Sequence, residues 1–435
     1  MNSSTRIFYF FPAIVLITSC SSLTEKTTPA AATATNKLPV ITSAKTPKNL
    51  SLSTACSLAL LHHTSLATYP MDRRAADARI INASKPPNPE LSIDAEDFLG
   101  IGAVRGLSSA MLNTLFTQVI ERGGKRQAKV NLARTEGLVM DSEYEVKRSE
   151  LILQTSELYI KALAAHEDIL YRKAVLKRSK ETLELVKNLN DAERVTISAV
   201  HQSELEVHKL ELDLATAQQS SKRASRELTS LWGDSRSALF KYSILGDPPK
   251  KLASRKRLNT GLSDHPVISL AQARVAEAES NLKLARANRH RDITVSGGVR
   301  GSKANDSGSG LLAVSLPLHI FNKGRYTTAE MQAMTDKAHT ELLGTKRELS
   351  SEFSLAWADL VAAHQEAISV RETLLPSALK LFQSAESSFR EGKISSLEFL
   401  AAQQQFHQIR ERSLTTRRNY QLSAVRVQSL TNLSL

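Results

Sequence analysis

Residues Val200 to Leu231 read VHQSELEVHKLELDLATAQQSSKRASRELTSL, and the spacing within this stretch decides the fold. Val200, Val207, Leu214, Ser221 and Leu228 stand seven apart, and Ser203, Leu210, Ala217, Ala224 and Leu231 follow each by three. Apolar and small residues recurring every 3.5 positions specify a helix packed along a seam with its neighbours, and small side chains let the backbones approach closely. Moving on by 199 positions lands on Phe399, Phe406, Ser413, Tyr420 and Val427, with Ala402, Ile409, Thr416, Ser423 and Leu430. The same seam in the same register twice predicts a tandem repeat of long helices.

Other matches lie outward from these seams. Tyr159-x4-Ala164-Ala165-His166 recurs as Trp357-x4-Ala362-Ala363-His364, and Gly124-Lys125-Arg126 as the weaker Lys323-Gly324-Arg325. Each half reads as helix, two short strands, long helix, turn, long helix. In the second half, Ser263-Asp264-His265-Pro266 is a helix start, and an Ala-rich run follows to Asn288. Ile293, Val295, Gly297 and Val299 then alternate with Thr294, Ser296, Gly298 and Arg300, one apolar and one polar face. Gly301 to Gly310 reads as a loop, and Leu312, Val314, Leu316, Leu318 and Ile320 as a second alternating strand. In the first half, Leu91, Ile93 and Ala95 alternate with Ser92, Asp94 and Glu96, and a second strand is expected over Leu112 to Ile120. A helix from Lys125 to about Lys187 would be roughly 95 Å long. Such a helix needs a bundle, and four strands with open edges need further chains to close them.

Composition agrees with long helices: of 435 residues only 17 are Gly and 13 Pro, and aromatics are 5%. The net charge of +13 does not point to nucleic acid, because Lys and Arg are spread among Glu and Asp without interleaved aromatics.

At the start of the chain, Arg6 precedes an apolar run from Ile7 to Ile17, and Ile17-Thr18-Ser19-Cys20 closes it. The run is too short to span a bilayer as a mature helix and reads as a signal segment. Leu16 to Cys20 resembles a bacterial lipobox, which implies cleavage before Cys20 and lipid attachment at its thiol; an ordinary secretory signal is the other reading. Ser21 to Asn49, rich in Thr, Ala, Ser and Pro, reads as a polar tether. Ser21 is not the aspartate that retains lipoproteins at the inner membrane, so outer-membrane delivery is expected. Cys56 is then left without a disulfide partner and reads as a packed residue. The expected segments are 1–19 signal, 20–49 lipidated linker, 50–234 first repeat, 235–262 connection and 263–435 second repeat.

These pieces together resemble the TolC-type outer-membrane efflux protein family from about Ser65 to Leu430. The resemblance rests on Asp264-His265-Pro266 opening its helix, Leu316-Pro317-Leu318 before Phe321, and the run from Phe389 to Leu400 with Gly392 at the turn. Pro87 to Leu91 and Gln118 to Arg126 look like the heavy-metal cation efflux branch. The resemblance implies a homotrimer: twelve strands closed into a barrel in outer-membrane lipid, above a tunnel of twelve helices projecting into the periplasm. It further implies docking of the tunnel tip to a periplasmic adaptor bound to an inner-membrane efflux pump, commonly of the resistance-nodulation-division (RND) type. The first tip departs from the family pattern: Asn188 to Thr196 contains no glycine, and its Asn and Asp residues are the expected left-handed positions.

A duct needs no catalytic residue, cofactor or metal centre; its chemistry is a wet lumen, a gate and a docking surface. Asp191, Glu193 and Glu391 are candidates for a carboxylate ring at the closing tip, against a plain solvated charge. Val195, Thr196, Gly392, Ile394 and Ser395 are candidates for adaptor docking, against local helix packing. The adjacent His62-His63 and the repeat-related His166 and His364 lack ligand spacing. Two other functions fit the same sequence features: a periplasmic coiled-coil lipoprotein that tethers the envelope, and the duct of a protein secretion exporter.

Overall fold

The structure, a computed structural model, describes residues 46–47, 49–102, 106–234, 245–318, 320–321 and 323–431. Cys20, the signal segment and most of the tether lie outside the described residues. Among the described residues the chain is mainly helical with one small sheet. Short helices α1 (Leu52–His62), α2 (Thr64–Ala67) and α3 (Tyr69–Ser84) lead into strands β1 (Glu90–Glu96) and β2 (Met111–Ile120). Two long helices follow, α4 (Lys125–Asp191) and α5 (Ile197–Ser230). The second half begins with α6 (Arg255–Asn259) and a 3-10 turn, Thr260–Asp264. It continues through α7 (Pro266–Asn288), β3 (Ile293–Ser302), β4 (Ser307–Ser315) and α8 (Arg325–Ser369). After one π-helical turn at Val370–Leu374, α9 (Leu375–Arg390) and α10 (Ser396–Thr431) end the described residues. No helix among the described residues is long and apolar enough to cross a membrane.

The start of α7 shows how local chemistry sets a boundary. His265 is the N-cap and its Nδ1 accepts from the Val267 N–H at 3.3 Å, while Pro266 at the next position has no N–H to satisfy. Burial holds the His265 pKa below its ordinary value, which keeps the ring neutral and able to accept. The helix ends at Asn288, where the Ala-rich run stops.

The sheet has strand order β1-β2-β3-β4 with every pair antiparallel. The expected second strand of the C-terminal half is displaced. It occupies Ser307–Ser315 rather than Leu312 to Ile320, and much of the expected loop is strand. The β3 register explains this: Ser302 pairs with Ser307 across a short turn, and Thr294 with Ser315 leaves β3 nearly used up. Pro317 also lacks the N–H that would continue the ladder.

Facing pairs share a side of the sheet, so the register sorts the side chains. One face carries Leu91, Ile93, Ala95, Leu112, Phe116, Ile120, Ile293, Val295, Val299, Leu312 and Val314, with Thr114 and Gln118 among them. Leu312 is 82% exposed and Val314 67%, so this is an apolar face with no protein layer against it among the described residues. The other face carries Glu90, Ser92, Asp94, Glu96, Asn113, Thr117, Thr294, Ser296, Arg300, Ser302 and Ser309, with Met111, Leu115, Val119, Leu311 and Ala313 between them.

The helices are held by three apolar clusters. Leu151, Tyr159, Ile160 and Leu163 of α4 meet Ala55 and Ala59 of α1 and Leu228, Leu231 and Trp232 at the end of α5. Phe353, Leu360, Tyr420 and Val427 join α8 to α10 at the corresponding level of the second half. The third lies at the tips, where Val186 and Val200 pack with Phe382, Phe389 and Phe399. The seam residues named from sequence on α5 and α10 are all buried or half-buried. Cys56 is half-buried with its thiol 3.9 Å from Ser156 Oγ, and burial pushes its pKa up.

The β2–β3 junction is the tightest point of the sheet. A Cβ added at Gly298 would run into the Thr114 carbonyl, whereas one at Gly297 would meet open space. Gly298→Ala should therefore lower stability by about 1–3 kcal/mol, the usual cost of overpacking. Gly297→Ala should cost far less; thermal unfolding of the two purified variants checks the contrast.

Candidate functional site

Two surfaces carry the candidate function: the polar sheet face at one end and the helical tips at the other. The connections α3 to β1, β2 to α4, α7 to β3 and β4 to α8 all leave the same end of the sheet. From there α4 runs 67 residues, roughly 100 Å, to its tip.

The polar face is a hydrogen-bonded surface. Thr117 and Ser296 hydroxyls meet at 2.9 Å. Arg300 Nε donates to Asn113 Oδ1 at 2.8 Å, and Asn113 Nδ2 donates to Glu96 Oε1 at 3.1 Å. This chain crosses three strands and holds the carboxylate and the guanidinium in fixed positions.

Both tips close with the same backbone motif. At the first, Arg194 N–H donates to the Leu189 carbonyl and Glu193 N–H to that of Asn190. At the second, Lys393 N–H donates to Ser388 and Gly392 N–H to Phe389. Each is a Schellman cap, which needs one left-handed residue. At the second tip that residue is Gly392, φ 71°. At the first it is Glu193, φ 57°, and neither an Asn nor an Asp as expected from sequence. Position in the cap decides this: Asn190 lies inside α4 and its side chain is used elsewhere, Nδ2 donating to the Val195 carbonyl at 2.9 Å.

Asp191, Glu193 and Glu391 are all exposed at these turns. Glu391 pairs with Lys393 at 2.6 Å, while Asp191 and Glu193 have no ion-pair partner among the described residues. Val195 and Ile394 pack against the tip cluster. Thr196 and Ser395 precede α5 and α10. Ser395 forms a reciprocal cap: its Oγ accepts from Glu398 N–H at 3.3 Å, and Glu398 Oε2 accepts from Ser395 N–H at 2.9 Å. Among the described residues there is no grouping of three or more His, Cys, Asp or Glu side chains that could hold a metal ion.

Sequence reasoning missed the contact between the two hairpins. Tyr171, Arg172, Arg178 and Ser179 of α4 face His407, Glu411 and Gln403 of α10 and Phe382 of α9. Heptad spacing reports which face of one helix is buried, not which helix lies opposite, so the only available signal was a histidine beside the seam residue Phe406.

A sheet with one exposed apolar face, set on two long coiled-coil hairpins, defines a class of envelope protein. The chain belongs to the outer membrane efflux protein family, whose profile matches residues 55–234 and 258–433. It is 26% identical over 367 residues to the cobalt-zinc-cadmium resistance protein CzcC of Cupriavidus metallidurans, covering 84% of this chain and 86% of that one. Its fold is that of CusC, with a TM-score of 0.73 at 15% identity over 90% of this chain and 95% of CusC. It is also that of the outer membrane protein VceC of Vibrio cholerae, at 0.70 and 18% over 88% and 96%.

The strained cap gives a local test. Glu193→Gly should relieve the left-handed strain and stabilise the first tip by about 1 kcal/mol, and Gly392→Glu should weaken the second by a similar amount. Amide hydrogen exchange at residues 186–200 and 385–400 reads each effect separately.

Proposed function

We propose that this chain is the outer-membrane exit duct of a tripartite efflux system, working as a homotrimer. The observation that carries the reading is the sheet: four strands sorted into one mainly apolar and one mainly polar face, with β1 and β4 as edges that have no partner strand among the described residues. Exposed edges of this kind aggregate unless paired. Pairing β1 of one copy with β4 of the next closes three sheets into a twelve-stranded barrel, apolar to lipid and polar to the lumen. Strands β2 and β3 have ten residues each, about 34 Å, and a tilt near 40° brings their height to about 25 Å, the apolar band of an outer-membrane barrel. The repeat bounds 50–234 and 263–435, joined by 235–262, assign one strand pair and one hairpin to each half.

Lipid attachment at Cys20 adds a second hold on the outer membrane. The tunnel tips are the face presented to a periplasmic adaptor through Val195, Thr196, Gly392, Ile394 and Ser395. Asp191, Glu193 and Glu391 would line the closing end. In a trimer they become rings of carboxylates, which attract cations. An inner-membrane pump, of the resistance-nodulation-division type, would load the duct. Heavy-metal cations are the favoured cargo, over drugs or secreted proteins, on the similarity to CzcC. The duct conducts passively and performs no chemistry on what passes.

Purified protein in planar bilayers should give stepwise conductance, and a tethering scaffold should give none. Leu312→Arg on the apolar face should lower membrane assembly, since a charge at mid-bilayer on a barrel exterior costs about 2–4 kcal/mol. Replacing Cys20 with Ser should abolish fatty-acid labelling and leave an unprocessed precursor, seen by mass spectrometry.

A further inference from the structure

The seam between the two hairpins holds a half-buried titratable group, His407, that the duct reading does not use. Tyr171 Oη of α4 lies 2.9 Å from His407 Nδ1 of α10. The other ring nitrogen, His407 Nε2, is buried with no hydrogen-bond partner among the described residues. Around this pair the seam is held by polar and aromatic contacts, including a second bond from Tyr171 Oη to the His407 carbonyl at 3.4 Å and the Arg172–Glu411 ion pair at 3.0 Å. Gln403 Nε2 donates to Ser179 Oγ at 3.3 Å, Arg178 stands over the Phe382 ring at 5.5 Å, and Phe382 stacks on Phe406 at 5.4 Å.

We propose that this seam is an acid-responsive latch: a proton taken up by His407 parts α10 from α4 and loosens the second hairpin's hold on the first, and so the closed tip. The proposal rests on the duct reading for its purpose but not for its chemistry.

The electrostatics of the pocket offer a charged ring no compensation. From α4 it faces the Tyr171 hydroxyl and the Arg178 guanidinium, and from α9 the seam receives the Phe382 ring. The nearby carboxylates are engaged by Arg172, which lies 2.9 Å from Asp168, 3.4 Å from Asp213 of α5 and 3.0 Å from Glu411 of α10. Arg410 adds positive charge from the ring's own helix. Burial, and after it Arg178, hold the His407 pKa down at about 4, against 6.5 for a ring in water.

The sign follows from linkage. Between pH 4 and 6.5 the parted state, whose ring meets water, binds more protons than the closed state, so acid favours parting. Near pH 8 both states are neutral and the latch is unaffected. At pH 5 the equilibrium moves toward the parted state by on the order of thirtyfold.

The test measures the seam directly. Spin labels at Lys177→Cys on α4 and Gln404→Cys on α10, in full-length protein carrying Cys56→Ser, report the inter-hairpin distance by electron double resonance. The distance should be short and narrow at pH 8 and lengthen or broaden at pH 5. His407→Gln, which cannot take the proton, should stay narrow at both. Tyr171→Phe removes the bond to the neutral ring, and the response should then begin nearer neutral pH, a shift that a merely packing role would not produce. A distance that does not change with pH in the parent, or a full acid response in His407→Gln, overturns the proposal. Bilayer conductance recorded in parallel separates the two readings: silence at every pH counts against the duct, while the measured distance still decides the latch.

Discussion

The ten-residue ladder between β2 and β3 is the constraint on which the rest depends. These strands come from different halves of the chain, and their pairing turns two separate hairpins into one sheet. It also fixes the direction of everything that follows. Because β2 and β4 both return toward the helical end, α4 and α8 start at the same end with α7 packed between them, and both hairpins run the same way. The pairing requires close backbone approach, which is why Gly298 has no room for a side chain. It also sets Gly297 opposite Phe116, so a large ring on the apolar face lies beside an open position. A slip of one residue here would put one strand out of phase with the other, turning either Leu112 and Phe116 or Val299 toward the polar face.

Much of this was legible in the sequence because helices and strands each carry a period. The seam of α5 and α10, the whole of α7 and the alternation of β3 were readable as written, since each depends on residues close in the chain. The position of β4 was not. Alternation continues from Leu312 through Ile320, yet strand pairing stops at Ser315, because a strand ends where its partner ends and where proline removes a donor. The first tip was half legible. A turn was expected between Asn188 and Thr196, but the left-handed residue is fixed by counting from the last helical hydrogen bond, not by intrinsic preference, and that count falls on Glu193.

The two tips therefore share one backbone motif and differ in how easily they hold it. Gly392 adopts its conformation freely, while Glu193 does so at a cost that the surrounding contacts must offset. Those contacts are present: Asn190 braces the turn, and Val195 and Leu189 pack into the cluster that includes Phe389 and Phe399. The first tip is thus stabilised in part by the second, so the aromatic cluster couples them. A change in how the hairpins meet is felt at both turns.

That coupling matters because the seams themselves are weakly apolar. Ser203, Ser221, Ser413 and Thr416 occupy buried seam positions where Leu or Ile would bind more strongly. Ser203 satisfies its hydroxyl on the carbonyl of Ala199 one turn back, and Thr416 on that of Ser413. Such residues allow close helix approach while contributing little hydrophobic free energy, so the helices are placed accurately without being locked. Strong burial is concentrated instead in Phe353, Leu360, Trp232 and Leu228 at mid-length and in the phenylalanines at the tips. Between these two levels lies the span of α4 and α10 that carries Tyr171, Arg172 and His407, held by polar contacts whose strength depends on charge. A long bundle built in this way is firm at mid-length and at its tips and adjustable in the span between them.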